Sequence, residues 1–243
     1  MRKRIPLDGG PSCSAAAKLS LYDQGVGIEG QSAGTVWRGA AGGVALGLVL
    51  MGVFTAMWAG WALAGPTVIG WQLLSAGFWA LSVVFVIAGI QLMVVSRRLP
   101  ADTRGPEQSP GSRIRQRFWL VFAAEGALIG IACGVLGGLG LDEFMPPAVC
   151  FIVGAHFLPM AWVFNRRMDL WLGSITILVA IIGLLWVSLD RTEYQNAWTF
   201  VGYSTATITS IYGITMLVAR RRMLKVSAAR AARETQKPRI GVR

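Results

Sequence analysis

Two ionisable side chains, Glu125 and His156, stand inside stretches otherwise made of apolar, small and hydroxyl-bearing residues, and His156 is the chain's sole histidine. Glu125 follows Phe118 by seven residues and His156 precedes Asn165 by nine. At 1.5 Å per helical residue, these spacings place both groups about 10–13 Å from one end of their helices. An ionisable group at membrane depth is costly, usually faces the bundle interior and marks function by default. Near neutral pH an imidazole beside a carboxylate can hold or pass a proton. The same pair can also serve only as a lock between two helices, or Glu125 can reach toward the nearer surface without a partner.

Three residues beyond His156 lies Pro159. A proline inside a helix removes the backbone bond to residue i−4 and favours a kink, so the Ala155 carbonyl is expected to be free beside His156. The segments Ala124-Glu125-Gly126 and Val153-Gly154-x-His156-Phe157-x-Pro159-x-Ala161 resemble a family of uncharacterised bacterial integral membrane proteins. That family pairs an E-G helix with a VGxHFxPLA helix; Met160 stands where its pattern has Leu. The resemblance covers about residues 119–175. It implies a short multi-span protein and brings no biochemical activity.

A third group of polar residues lies near the C-terminus, where Tyr203, Thr207 and Ser210 share one helical face and Thr205, Thr209 and Tyr212 another. Such stripes could line a wet path, although Ser and Thr in spans commonly bond their own i−4 carbonyl or a neighbouring helix. Three cysteines (Cys13, Cys133, Cys150) have no metal-ligand spacing, and one histidine cannot build a histidine-rich metal site. No phosphate-binding loop, nucleophile elbow or HExxH motif is present, and no apolar stretch carries the lysine of a Schiff base. These features predict a protein that is not an enzyme and needs no metal or cofactor.

The elements that must position these groups follow from composition. Of 243 residues, 54% are apolar and only 14% charged, against about 25% charged in soluble domains. This excludes a soluble enzyme, a disordered chain and a secreted disulfide scaffold. A bilayer-spanning helix needs about 20 mostly apolar residues, and six stretches qualify: about 41–64, 72–95, 119–140, 147–164, 170–189 and 199–219. The expected fold is all-α, a polytopic membrane domain over 39–219. A mobile N-terminal tail over 1–38 precedes it, and a basic C-terminal tail over 220–243 follows, either a surface helix or simply solvated.

Charge distribution orients the spans. Of the 23 basic residues, 22 fall before the first span, between spans two and three, between four and five, or after the sixth; Arg191 is the exception. Basic residues are retained on the cytoplasmic side during insertion, so both termini are expected inside a plasma membrane. The formal net charge of +11 is then a product of topology. Anionic inner-leaflet lipid is its expected partner, and nucleic acid is not.

Short outer connections predict three antiparallel helical hairpins, each returning helix ending in Arg97-Arg98, Arg166-Arg167 or Arg220-Arg221-Arg222, as duplicated units would. Gly126, Gly130, Gly134 and Gly138 form a four-residue stripe suited to close helix packing, within the chain or in a homo-oligomer. Trp58, Trp61, Trp71, Trp119, Trp186 and Trp198 lie near span ends, as an aromatic belt would. Two functions fit: a small proton-sensitive transporter or permease using Glu125 and His156, or a non-transport accessory protein in which that pair fixes packing.

The topology is testable by cysteine scanning with a membrane-impermeant reagent. Cysteines placed at 142–144 and 193–196 should be modified from outside. Labelling at 104–112 from that side contradicts the orientation.

Overall fold

The computed structural model describes residues 38–65, 69–97, 99 and 110–236. The 1–37 part of the expected N-terminal tail and the last residues of the C-terminal tail lie outside them. Six α-helices follow in order: α1 (Arg38–Ala62), α2 (Ile69–Ser96), α3 (Pro110–Gly138), α4 (Met145–Phe164), α5 (Arg167–Leu189) and α6 (Tyr194–Gln236). Among the described residues there is no strand. All six helices are long and apolar enough to cross a bilayer, which fits a multi-pass membrane protein. Helix boundaries lie close to the expected spans except at the start of α3, which begins at Pro110 rather than about 119, and at the C-terminus. There α6 runs unbroken for 43 residues, about 65 Å at 1.5 Å per residue and far more than a bilayer core requires. The basic stretch after Ala219 continues this helix as far as Gln236.

Tight helix pairing in lipid depends on small residues and on hydrogen bonds, because lipid tails are as apolar as the helices. Both devices are used, at positions other than the glycine stripe. A Cβ at Gly52 would lie 2.9 Å from the Ser82 carbonyl oxygen, and one at Gly89 2.8 Å from that of Ala45, so α1 and α2 approach backbone to backbone. Gly154 and Gly173 do the same for α4 and α5, where a Cβ on Gly173 would meet the Gly154 oxygen at 2.9 Å. Gly202 lets α6 lie against Ala62 and the Trp58 carbonyl of α1.

Hydroxyls supply the second device. Thr55 and Thr209 share a buried hydrogen bond of 2.9 Å between α1 and α6. The Tyr203 hydroxyl donates to the Trp71 carbonyl at 2.7 Å and lies 2.9 Å from the Ser75 hydroxyl, joining α6 to α2. The core between these contacts holds Leu48, Trp58, Phe85, Val149 and Val201. Trp58 is therefore a core residue, fully buried, whereas Trp71, Trp119 and Trp186 are exposed near helix ends as a belt requires.

The expected hairpins are only partly the units of packing. α1 and α2 are closely joined, but α6 packs more closely on α1, and α4 more closely on α5, than either does on its hairpin mate. α3 is the least buried helix and packs chiefly against α4. Its stripe of Gly126, Gly130, Gly134 and Gly138 is exposed, and a Cβ at any of the four meets nothing within 4 Å. Among the described residues, no helix of the same chain covers that face.

The two ends of the bundle differ in chemistry. At one, the Arg38 guanidinium donates to the Arg97 carbonyl at 2.9 Å and Arg220 donates to Gln91 Oε1 at 2.8 Å. At the other, Trp198 Nε1 donates to the Glu143 carbonyl at 2.8 Å, and Arg191 lies 3.6 Å from the Glu143 carboxylate. Asp190 caps the short turn Arg191–Glu193 there. The Thr192 hydroxyl and backbone N–H both donate to it and hold its carboxyl below the usual carboxylate range.

These contacts predict where small residues are required. Gly154→Ala and Gly202→Ala should each cost about 1–3 kcal/mol by overpacking. Gly130→Ala should stay within about 0.5 kcal/mol, as an exposed substitution does. Unfolding of purified protein in mild detergent measures all three; equal losses contradict the assigned packing faces.

Candidate functional site

The turn between α4 and α5 builds one side of the site. Asn165 ends α4 in the left-handed conformation (φ 51°), its N–H returning to the Ala161 carbonyl. Asn tolerates this backbone better than most residues and is a common helix terminator. The chain reverses within two residues, so Arg166 sits in extended conformation as the N-cap of α5. Asp169 follows in the first turn of α5, where a negative charge complements the helix dipole.

α3 and α4 build the other side. Phe118, Phe122, Glu125, Ile129 and Cys133 recur at helical spacing on the face of α3 turned inward, all buried or half-buried. Phe118 reaches Phe164 of α4, with ring centroids 6.2 Å apart. One and two turns further along, Glu125 meets His156: Nδ1 lies 3.1 Å from Oε1. The two residues singled out by type and depth are thus in contact, with Glu125 4% exposed.

The geometry of this contact is more particular than a simple pair. His156 Nδ1 also lies 2.6 Å from the Val153 carbonyl oxygen of its own helix. A carbonyl only accepts, so Nδ1 carries a hydrogen and faces two acceptors at once. The better-placed acceptor is the carbonyl; neither Glu125 oxygen receives a well-aligned hydrogen bond. The backbone acceptor is the Val153 carbonyl. Pro159 itself is exposed, and α4 continues through it to Phe164.

Sequence reasoning missed the second acid. Asp169 is 1% exposed and neither of its oxygens has a well-aligned donor. Arg166 is the main charge acting on it, His156 a weaker one at longer range, and Tyr212 of α6 stands beside it. Arg166 Nη1 donates to the Tyr212 hydroxyl at 3.3 Å, and its guanidinium lies over the Phe164 ring, 5.0 Å from the centroid. Phe157 packs between the parts, 4.4 Å from the His156 ring and 6.0 Å from the Tyr212 ring between centroids. The expected span begins at 170, one residue after Asp169, whereas α5 already includes it in its first turn.

The cluster of Glu125, His156, Arg166, Asp169 and Tyr212 therefore draws on α3, α4, α5 and α6 at the arginine-rich end. Among the described residues no three His, Cys, Asp or Glu side chains are arranged to hold a metal ion. The other expected polar line does not form one surface. Tyr203 is used up on α2, Thr207 is exposed with its hydroxyl on the Tyr203 carbonyl at 2.8 Å, and Ser210 is buried without a hydrogen-bond partner. The second stripe is a set of helix ties: Thr205 lies 3.3 Å from Cys150 Sγ, Thr209 bonds Thr55, and Tyr212 meets Arg166.

The Glu125–His156 contact predicts energetic coupling. Glu125→Gln and His156→Gln, singly and together, should show an interaction of about 0.5–3 kcal/mol in unfolding measurements, the double variant losing less than the summed singles. Additive losses mean that the two groups do not interact.

No protein-family model, curated protein or solved structure matches the chain, so its function is argued from this cluster alone.

Proposed function

We propose that the protein is a small proton-sensitive transporter or permease whose proton site is the Glu125–His156 pair, with the arginine-rich end of the bundle in the cytoplasm. The observation that carries this reading is the buried Glu125 carboxylate, 3.1 Å from the sole imidazole and without a well-aligned donor. Arg166 offsets the charge of Asp169. The remaining carboxylate and imidazole form a neutral unit only when they hold one proton between them, either as carboxylate and imidazolium or as acid and imidazole. A low-dielectric interior favours that neutral unit and penalises a lone carboxylate.

Proton occupancy then acts on the contact between α3 and α4. α3 packs chiefly on α4, and Glu125 with His156 makes a polar contact between them. With the proton bound, attraction between imidazolium and carboxylate in a low dielectric draws α3 onto α4. With the proton lost, Glu125 faces a neutral ring and the charge attraction between α3 and α4 is gone. A two-state position of α3, biased by one proton, is the kind of element on which alternating access can be built.

A second reading is favoured by the hydroxyl ties of α6, which fasten it to α1, α2 and α4. In that reading the protein is a non-transport accessory component, and the pair only fixes helix packing. Proteoliposomes enclosing a pH-sensitive dye separate the two. The transporter reading expects proton movement under an imposed gradient above that of protein-free liposomes. It also expects that movement to vanish in Glu125→Gln, which keeps the side-chain shape and folds normally. Wild-type protein indistinguishable from empty liposomes supports the accessory role.

A further inference from the structure

We propose that the arginine-rich ends of α2 and α6 form a binding site for the phosphate of an anionic phospholipid, built on Arg220 and Gln91. The site uses neither α3 nor α4, so it stands or falls independently of the Glu125–His156 reading.

The observation that carries it is a cation without a counter-charge. Arg220 is half-buried, and its Nη2 donates to Gln91 Oε1 at 2.8 Å. That partner is a neutral amide, so the guanidinium keeps its whole charge. Its Nε is buried with no acceptor. From Arg38 to Arg97, and from Tyr194 to Arg233, the sequence holds no Asp or Glu. Thus α1, α2 and nearly all of α6 offer no carboxylate to Arg38, Arg97, Arg220, Arg221 or Arg222. Among the described residues, the arginine–carboxylate contact within 4 Å is that of Arg191 with Glu143, at the opposite end of the bundle. Arg38 is spent on backbone, donating to the Arg97 and Leu99 carbonyls. Arg221 and Arg222 are exposed on the turn beside Arg220.

A half-buried charge is costly until a counter-ion meets it. Depth says which counter-ion that is. Gln91 precedes the end of α2 at Ser96 by five residues, about 7–8 Å at 1.5 Å per residue. An arginine at that depth reaches into the headgroup layer, where the anions are lipid phosphates. The surroundings suit a lipid better than a dissolved ion. Ile87 and Val94, one turn to either side of Gln91 on α2, are 51% and 55% exposed. Leu217 and Leu224 flank Arg220 on α6 and are half-buried. The phosphate oxygens take the remaining guanidinium N–H groups and the Gln91 amide N–H groups, and an acyl chain lies along the apolar side chains. Tyr203 already ties α6 to α2 near their other ends; a shared phosphate ties them here.

Native mass spectrometry of the full-length protein in mild detergent, titrated with phosphatidylglycerol or phosphatidylcholine, counts the bound lipid. Wild type should hold one phosphatidylglycerol about tenfold or more tighter than phosphatidylcholine, as one charge-assisted pair implies. Arg220→Gln should abolish that preference, whereas Arg115→Gln, at an exposed arginine of α3, should leave it intact. Excess inorganic phosphate should not displace the lipid. Equal binding of the two lipids by wild type, or equal losses in Arg220→Gln and Arg115→Gln, overturn the proposal. Displacement by inorganic phosphate assigns the cluster to a dissolved anion and overturns the lipid assignment. If Arg220→Gln does not fold, Gln91→Leu carries the test, and an undiminished preference in that variant overturns the site.

Discussion

The arrangement at the arginine-rich end depends on one constraint: Glu125 must be buried, and in a chain with a single histidine its only imidazole neighbour is His156. A carboxylate cannot face lipid, so its presence fixes the rotation of α3 about its axis. With Glu125 turned to α4, Phe118 and Phe122 follow onto the same face by helical spacing, and Phe118 meets Phe164. That contact sits beside the Asn165 turn, which in turn places Arg166 and Asp169.

The same constraint explains the open glycine stripe. At 100° per residue, Gly126, Gly130, Gly134 and Gly138 fall roughly 100–220° round the helix from Glu125. α3 has one main neighbour within the chain, so only one of the two faces can be covered. Burying the acid leaves the glycines exposed. Both features were visible in the sequence, and so was their angular separation; what was not visible was that α3 lies at the edge of the bundle.

Much of the architecture was legible because apolar length and charge distribution leave little freedom. Six spans and the grouping of arginines at one end follow from residue counts. The Glu125–His156 contact was legible as matched depth. Asp169 was not, because an acid beside Arg166 and Arg167 reads as a solvated link; its neighbour Tyr212 comes from α6, distant in sequence and brought in by tertiary packing alone. The glycines that do allow close approach, such as Gly154, Gly173 and Gly202, are isolated in sequence and form no periodic signal. The hydroxyls of α6 show the converse. Their periodicity is plain, but each is spent on a neighbouring helix or its own backbone, and whether a polar stripe faces water or protein depends on neighbours that periodicity does not specify.

The proposed proton site requires that His156 keep its Nδ1 hydrogen and take up a proton at Nε2 beside buried Glu125. The most direct measurement is the 15N chemical shift of both ring nitrogens in lipid bilayers across pH about 5 to 8, the range in which histidine usually titrates. The account predicts that Nδ1 remains of protonated type throughout, that Nε2 changes from acceptor to protonated type as pH falls, and that Glu125→Gln moves the midpoint. A ring that is protonated at Nε2 alone at high pH, or that shows no change at either nitrogen across the range, contradicts it.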